Sequence, residues 1–344
     1  MLGYIVKRLL LMLPTLLGAL TVTFIVIQFV PGGPIEQIMA EAAAGASGDG
    51  DGYRASRDID KKQIEELKKL YGFDKPVHVR YVEMLGHFAR FDLGRSFMHN
   101  KDVWQLIKEK LPVSISLGLW TFVLAYLVSI PLGIAKAVRE GTRFDTLTTL
   151  VVLVGYAIPG FVLGVLLIVL LAGGTFLDWF PLRGLTSDNW AELTFGQRIV
   201  DYFWHLTLPL VCLVIGSFAV LTMLTKNTFV EEMRKQYVLV ARAKGLSQRR
   251  VLWKHVFRNA LIPLVTGFPS AFVHAFFAGS VLIETLFSLD GLGLLGYEAV
   301  TRRDYPVVLG SLYFFTLIGL VVKLVSDLLY VAVDPRVQFG AAAK

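Results

Sequence analysis

Residues 237 to 263 read YVLVARAKGLSQRRVLWKHVFRNALIP, a basic segment inside a very apolar chain. The segment holds six Lys and Arg residues and no Asp or Glu. A helix-compatible run reaches Gly245, a residue that readily takes the left-handed conformation ending a helix. Ser247 is a suitable N-cap for a second helix. We therefore predict a helix, a tight turn and a second helix, with Leu246 packing back against Val240.

The chain around this segment has the composition of a membrane protein. Its 344 residues are 55% hydrophobic and 18% charged, with a net charge of +7. Soluble domains are about 45–50% apolar and about 25% charged. A basic surplus in a membrane protein reflects cytoplasmic loops rather than a nucleic-acid partner. The single cysteine, Cys212, cannot form an intramolecular disulfide or a thiolate metal site.

Six apolar runs are long enough to cross a bilayer, which takes roughly 20 helical residues. The first follows Lys7 and Arg8, but it is too long for a cleaved signal peptide, so we interpret it as an uncleaved span. Pro159 and Gly160 predict a kink in the third run. The six runs are 9–30, 113–135, 146–172, 206–225, 262–283 and 306–331.

The distribution of Lys and Arg predicts the orientation. The segment 226–258 holds nine Lys and Arg residues against two acids, and the loop after the second run contributes Lys136, Arg139 and Arg143. The segments 173–205 and 284–305 each hold two basic residues against four acids. By the positive-inside rule, both termini and the basic segment are cytoplasmic, and residues 31–112 lie outside.

The outside region is predicted to combine a flexible linker with short amphipathic helices. Residues 41–58 are rich in Gly, Ala and Asp and lack apolar periodicity. Three helical pieces follow, and in the second of them Val77, Tyr81, Leu85 and Phe88 fall on one face. These pieces either stabilise the outer ends of the spans or form a docking surface for a soluble partner.

No catalytic signature is present in the sequence. Phosphate-binding loops, dinucleotide-binding glycine motifs, zinc-protease motifs and nucleophile elbows are all absent. The six histidines lack metal-ligand spacing, so we predict no catalytic residue, no metal site and no cofactor. His274 lies inside the fifth span, where polar residues often face a cavity, and is a candidate substrate-binding residue.

The quoted segment resembles the cytoplasmic coupling loop of ABC-importer permeases, in the branch that takes up oligopeptides, dipeptides and nickel. Within that branch the chain looks most like the Yej-type permeases, which are linked to oligopeptide and microcin C-like uptake. "TKNTF" (225–229) and "RKQY" (234–237) support this narrower match. The motifs that match the branch in order are "PGGP" (31–34), "YGFDKP" (71–76), "FDLGRSF" (91–97), "LPVSISLGL" (111–119), "IPLGI" (130–134), "FPLRG" (180–184), "GLGLLGYEAV" (291–300), "RDYPVV" (303–308) and "DPRV" (334–337).

The chain departs from the wider ABC-importer pattern of this loop. That pattern has Glu, Ala and Ala, then three residues and Gly, and a Pro further on. Counting back from Gly245, this chain has Leu239 at the Glu position and Val240 at the first Ala, while Ala241 is retained. The later Pro falls at Arg258. Such substitutions are usual in the peptide branch.

The resemblance implies an all-α polytopic fold of six transmembrane helices, the type I ABC-importer permease fold, in the bacterial inner membrane. It implies a non-enzymatic subunit that forms half of an uptake pathway for oligopeptides or peptide conjugates. The implied partners are a homologous second permease, ABC ATPase subunits, a periplasmic peptide-binding protein and membrane lipid. The residues implied in ATPase coupling are Ala241, Arg242, Ala243, Lys244, Gly245, Leu246, Arg258 and Asn259.

On this interpretation the chain divides into four parts. These are a first transmembrane helix (1–30), a periplasmic region (31–112), a core permease domain (113–333) with its coupling loop at 226–261, and a cytoplasmic tail (334–344).

Two other functional classes are weighed against this interpretation. A secondary transporter or channel needs ionisable residues near the middle of the membrane, and the spans hold few. An intramembrane enzyme needs a nucleophile with a positioned base or a metal pair, and neither pattern is found in the spans.

Overall fold

A computed structural model describes residues 2–30, 74–174, 176–277 and 281–333. Most of these residues are helical, and the β-structure among them is one isolated bridge between Arg95 and Asp102. The all-α prediction is therefore confirmed. The helices are α1 (Leu2–Phe29), α2 (Val77–Phe88), α3 (Val103–Val138), α4 (Arg143–Ala157), α5 (Gly160–Leu171), α6 (Phe195–Met233), α7 (Gln236–Ala243), α8 (Gln248–Val251), α9 (Phe257–Ala260), α10 (Ile262–Phe277), α11 (Val281–Leu286), α12 (Leu292–Thr301) and α13 (Tyr305–Val333), with a 3-10 turn at Trp190–Glu192 and a π-helical turn at Leu252–Val256.

Four of the described helices, α1, α3, α6 and α13, are each long and apolar enough to cross a membrane. They cover the first, second, fourth and sixth predicted spans. The pair α4 and α5 covers the third, and the two helices pass the same test together, as a broken span or a re-entrant loop. The fifth predicted span falls on α10 and α11, and residues 278–280 between them lie outside the described part of the chain. The count of six crossings therefore stays a prediction, as do the linker at 41–58 and the tail at 334–344.

The third predicted span is far more bent than a kink requires. The axes of α4 and α5 differ by 92° across Ile158 and Pro159. Ile158 is extended, with ψ 117°, because the ring of a following proline disfavours helical geometry in the preceding residue. At Gly160, a Cβ atom would come within 2.6 Å of the carbonyl oxygen of Cys212 on α6. Glycine there allows the start of α5 to approach the backbone of α6 closely.

The chain falls into two compact units, one made of residues 1–110 and 295–320 and the other of residues 111–294 and 321–344. In the first unit, α2 supplies the predicted apolar stripe. Phe88 is buried, Tyr81 and Leu85 are half-buried, and Val77 at the start of the helix is exposed.

Asp304 holds together two motifs of the first unit that are far apart in sequence. Its carboxylate is 2% exposed and accepts a hydrogen bond from the Ser96 hydroxyl at 2.5 Å. The backbone amides of Phe97 and Met98 donate to the same carboxylate at 3.1 and 3.3 Å. Asp304, the residue directly before α13, therefore holds the loop that precedes α3 in place.

A buried ion cluster joins three helices of the second unit. Lys136 of α3 is fully buried, and its ammonium lies 3.2 Å from the carboxylate of Asp145 on α4. It also donates to the Thr148 and Thr149 hydroxyls at 2.8 and 2.6 Å. Lys226 of α6 pairs with the other carboxylate oxygen of Asp145 at 2.7 Å. Lys136 was predicted in the loop after the second span, and this prediction is wrong because α3 continues to Val138.

Candidate functional site

The predicted helix, turn and helix are present in the basic segment. Helix α6 continues without a break past its apolar run to Met233, and α7 starts three residues later. After the turn, α8, the π-helical turn and α9 follow one another directly from Gln248 to Ala260. We call residues 236–260 the coupling segment, after the function that the resemblance implies for it.

Gly245 makes the turn by the predicted mechanism. Its φ angle is +82°, and its amide donates to the carbonyl of Arg242 at 2.9 Å. The amide of Leu246 donates to the carbonyl of Ala241 at 3.3 Å. These two bonds form a Schellman motif, which satisfies carbonyl groups at the end of α7.

Two finer predictions about the turn differ from the structure. Ser247 has the extended backbone of an N-cap, but its side chain makes no capping hydrogen bond within the described part of this segment, so the predicted cap is wrong. Leu246 packs onto the buried cluster that includes Ala241 and Val251, whereas Val240 is 52% exposed. Leu246 packs against this cluster because the contact buries its apolar side chain, and the exposed Val240 is not part of the cluster.

Of the eight residues implied in coupling, six are exposed, one is half-buried and one is buried. Ala241 is 8% exposed and forms part of the core beneath α7. Leu246 is half-buried. The exposed members of the set are Arg242, Ala243, Lys244, Gly245, Arg258 and Asn259.

A hydrogen-bonded group anchors the coupling segment to the end of α6. The Tyr237 hydroxyl donates to the buried carboxylate of Glu232 at 2.8 Å, and Lys235 pairs with the other oxygen of that carboxylate. The side-chain amide of Asn259 donates to the Tyr237 hydroxyl at 3.3 Å. Burial raises the pKa of Tyr237 to about 12, so its hydroxyl stays protonated well into the alkaline range. The hydroxyl thus links α6, α7 and α9.

The exposed surface of the coupling segment holds both apolar and basic side chains. Leu239 and Ala243, one helical turn apart, lie at the centre of the exposed face of α7. Leu239 is 59% exposed and Trp253 is 52% exposed. The exposed cations of the segment are Arg242, Lys244, Arg249, Arg250, Lys254 and Arg258.

Sequence reasoning missed several of these features. Tyr237 and Glu232 carry no pattern that marks them as an anchor, because their contact depends on how α7 folds back on α6. The exposure of Leu239 could have been predicted, since this position carries the charged residue Glu in the wider family. The exposure of Trp253 could not, because a tryptophan in an amphipathic helix is as often buried.

The other predicted candidate, His274, lies on α10, and its side chain is outside the described part of the protein. Among the described residues, no group of three or more His, Cys, Asp or Glu side chains is placed to hold a metal ion.

Residues 129–339 match the family described as the binding-protein-dependent transport system inner membrane component, and the chain belongs to this family of transporter permeases. The predicted resemblance is thereby confirmed. Three relatives of the chain are similar to it over almost their whole length.

The chain is 53% identical to the peptidoglycan transport system permease protein YejB of Agrobacterium fabrum, over 98% of both chains. It is 51% identical to the inner membrane ABC transporter permease protein YejB of Escherichia coli O157:H7, over 98% of this chain and 99% of the relative. It is 33% identical to the oligopeptide transport system permease protein AppB of Bacillus subtilis, over 98% of this chain and all of the relative.

A solved structure of the MetNI methionine ABC transporter, in an inward-facing conformation, has the same fold. The TM-score is 0.50 at 17% identity, covering 67% of this chain and 97% of that chain. The fold is therefore that of a type I ABC-importer permease, and the protein is a multi-pass inner-membrane permease subunit.

Proposed function

We propose that this chain forms half of the pathway of an ABC importer for oligopeptides or peptide conjugates, and that partner ATPases drive it. A homologous permease supplies the other half, and a periplasmic peptide-binding protein delivers the cargo. Both termini and the coupling segment are cytoplasmic, as the surplus of Lys and Arg indicates. The chain itself hydrolyses no nucleotide, since its sequence holds no phosphate-binding loop.

The exposed surface of the coupling segment carries this proposal. Exposed apolar side chains together with cations suit a protein partner, since interfaces combine apolar and polar groups. The Tyr237 and Glu232 contact ties this surface to the end of α6. An exposed ion pair between Arg234 and Glu140 at 3.0 Å joins that end of α6 to the loop after α3. A partner that moves the coupling segment therefore acts directly on α6.

A peptide-type cargo is supported by the names of the relatives. One relative, at 53% identity, is a peptidoglycan transport permease, and another, at 33% identity, is an oligopeptide transport permease. His274 remains a candidate for the lining of the pathway, because it is a polar residue within an apolar helix.

The function is tested with the complete importer in proteoliposomes. Uptake of short peptides should require ATP, the binding protein and both permeases, and the purified chain alone should show no ATP hydrolysis. Deletion of the gene, in cells lacking redundant peptide importers, should reduce peptide uptake and give resistance to toxic peptide conjugates. Unchanged uptake and sensitivity in those cells would contradict a peptide-type cargo.

The orientation is tested by cysteine labelling in a Cys212→Ser background. A membrane-impermeant maleimide should label a cysteine at Gly48 in intact cells and should not label one at Arg249. Equal labelling at the two positions would contradict the proposed topology.

A further inference from the structure

A groove opens on the surface of the coupling segment. Its volume is about 380 Å³, which lies within the range of about 300–1,000 Å³ for sites that accept a ligand group. Arg242, Gln248 and Arg249 are exposed and form its polar part. The apolar part consists of Val138, Met233, Val251, Leu252 and Val256.

We propose that this groove receives an apolar side chain of the partner ATPase, flanked by carboxylates that pair with Arg242 and Arg249. The inference rests on the proposed function and adds the chemistry of the partner surface. The permease then accepts a side chain of the ATPase in this groove and also contacts the ATPase through α7.

The charge of the coupling segment determines which partner fits. Residues 237–263 contain no Asp or Glu, so the two arginines of the groove have no acidic neighbour in that segment. At position 239, where the wider family has Glu, this chain has an exposed Leu. A complementary surface therefore carries acids opposite the arginines and an apolar group opposite Leu239 and the groove.

The position of the groove favours a soluble protein over a lipid headgroup. The apolar run of α6 ends at residue 225, and Met233 lies eight residues further along the same helix. Eight helical residues span about 12 Å. The headgroup layer is only about 5–8 Å thick on each side of the hydrocarbon core. A helix aligned with the membrane normal therefore carries the groove beyond the lipid headgroups, where a cytoplasmic protein can reach it.

The binding test uses the full chain with its partner permease in phosphatidylcholine nanodiscs, and the ATPase subunits of the same importer as the probe. The double variant Arg242→Glu, Arg249→Glu should weaken ATPase binding by at least about tenfold, because it opposes like charges. Parental binding should weaken as salt is raised, and the double variant should show a smaller dependence on salt. Arg143→Glu is the matched control, since Arg143 is exposed, lies outside the coupling segment and does not line the groove. Its binding should stay within about threefold of the parent, the scale of an exposed charge.

Occupancy of the groove is tested independently of charge. A cysteine at Gln248, in the Cys212→Ser background, should react with a soluble maleimide in the free permease and be protected when the ATPases bind. A cysteine at the exposed Arg143, outside the coupling segment, should stay reactive in both states. Gln248→Trp should weaken ATPase binding by filling the groove without changing its charge.

The outcomes separate this proposal from the proposed function. If the ATPases bind and drive uptake while the cysteine at Gln248 stays reactive and the double variant binds like the parent, the groove proposal is wrong and the function stands. If phosphatidylglycerol in the nanodisc protects that cysteine without ATPases, the groove holds lipid and the proposal is overturned. If no ATPase binds the parental permease, both are overturned.

Discussion

Replacing Gly245 by Val should uncouple ATP hydrolysis from uptake while leaving the membrane-embedded fold intact. Gly245 has a φ angle of +82°, and a Cβ atom added there would meet no other atom within 4 Å. The cost of a side chain is therefore backbone strain without a steric clash. Left-handed geometry costs a residue with a side chain about 1–2 kcal/mol, and a β-branched residue fits it worst.

This strain can be relieved only by opening the turn. The bonds from Gly245 to Arg242 and from Leu246 to Ala241 would then be lost, and α8 would leave α7 in a different direction. A free energy of about 1.4 kcal/mol is a factor of ten in an equilibrium constant. We therefore expect ATPase association, or uptake per hydrolysed ATP, to fall by about tenfold in Gly245→Val.

Two further variants at the same position grade the effect. Gly245→Asn should be nearly normal, because Asn tolerates left-handed geometry better than other residues with side chains. Gly245→Ala should be intermediate. The measurement is peptide uptake and ATP hydrolysis in proteoliposomes, each normalised to the amount of inserted permease.

Gly174 provides a matched control in the same unit. Its φ angle is +66°, and a Cβ atom added there would also meet nothing within 4 Å. It lies after α5, outside the coupling segment. Gly174→Val should therefore suffer similar strain and retain most of its uptake. Parental uptake by Gly245→Val, or equal losses in both Val variants, would refute the reasoning.

Three predictions concern the contacts that position the site. Asp145→Asn should lower the thermal denaturation midpoint in nanodiscs sharply, because removing one partner of a buried ion pair costs about 3–5 kcal/mol; an unchanged midpoint would contradict the cluster's structural role. Asp304→Asn should cost about 1–3 kcal/mol, because an amide cannot replace both oxygens that accept hydrogen bonds, and should speed proteolysis of the loop before α3 relative to the parent. Gly160→Ala should destabilise the fold by about 1–3 kcal/mol, because the added Cβ atom would lie 2.6 Å from the carbonyl oxygen of Cys212. The control Gly216→Ala, whose Cβ atom would meet nothing within 4 Å, should leave the thermal denaturation midpoint unchanged.

The sequence determined the features that depend on local physics. Long apolar runs predicted four of the spanning helices, because a helix in a bilayer must satisfy its backbone hydrogen bonds internally and needs roughly 20 apolar residues. Gly245 predicted the turn after α7, because few other residues adopt a positive φ angle at low cost. The order of the motifs predicted the family, and with it the fold of the permease.

Only the tertiary structure decided the features that depend on distant neighbours. Pro159 indicated a break, but the 92° bend depends on how closely Gly160 approaches α6. Lys136 counted as a loop charge in sequence, and its burial follows from the contact of α4 with α3. In the coupling segment, Ala241 and the exposed Arg242 are neighbours with opposite surroundings, because α7 rests one face on a core that other helices supply. Burial and pairing of this kind depend on side chains far away in the chain, so no local pattern specifies them.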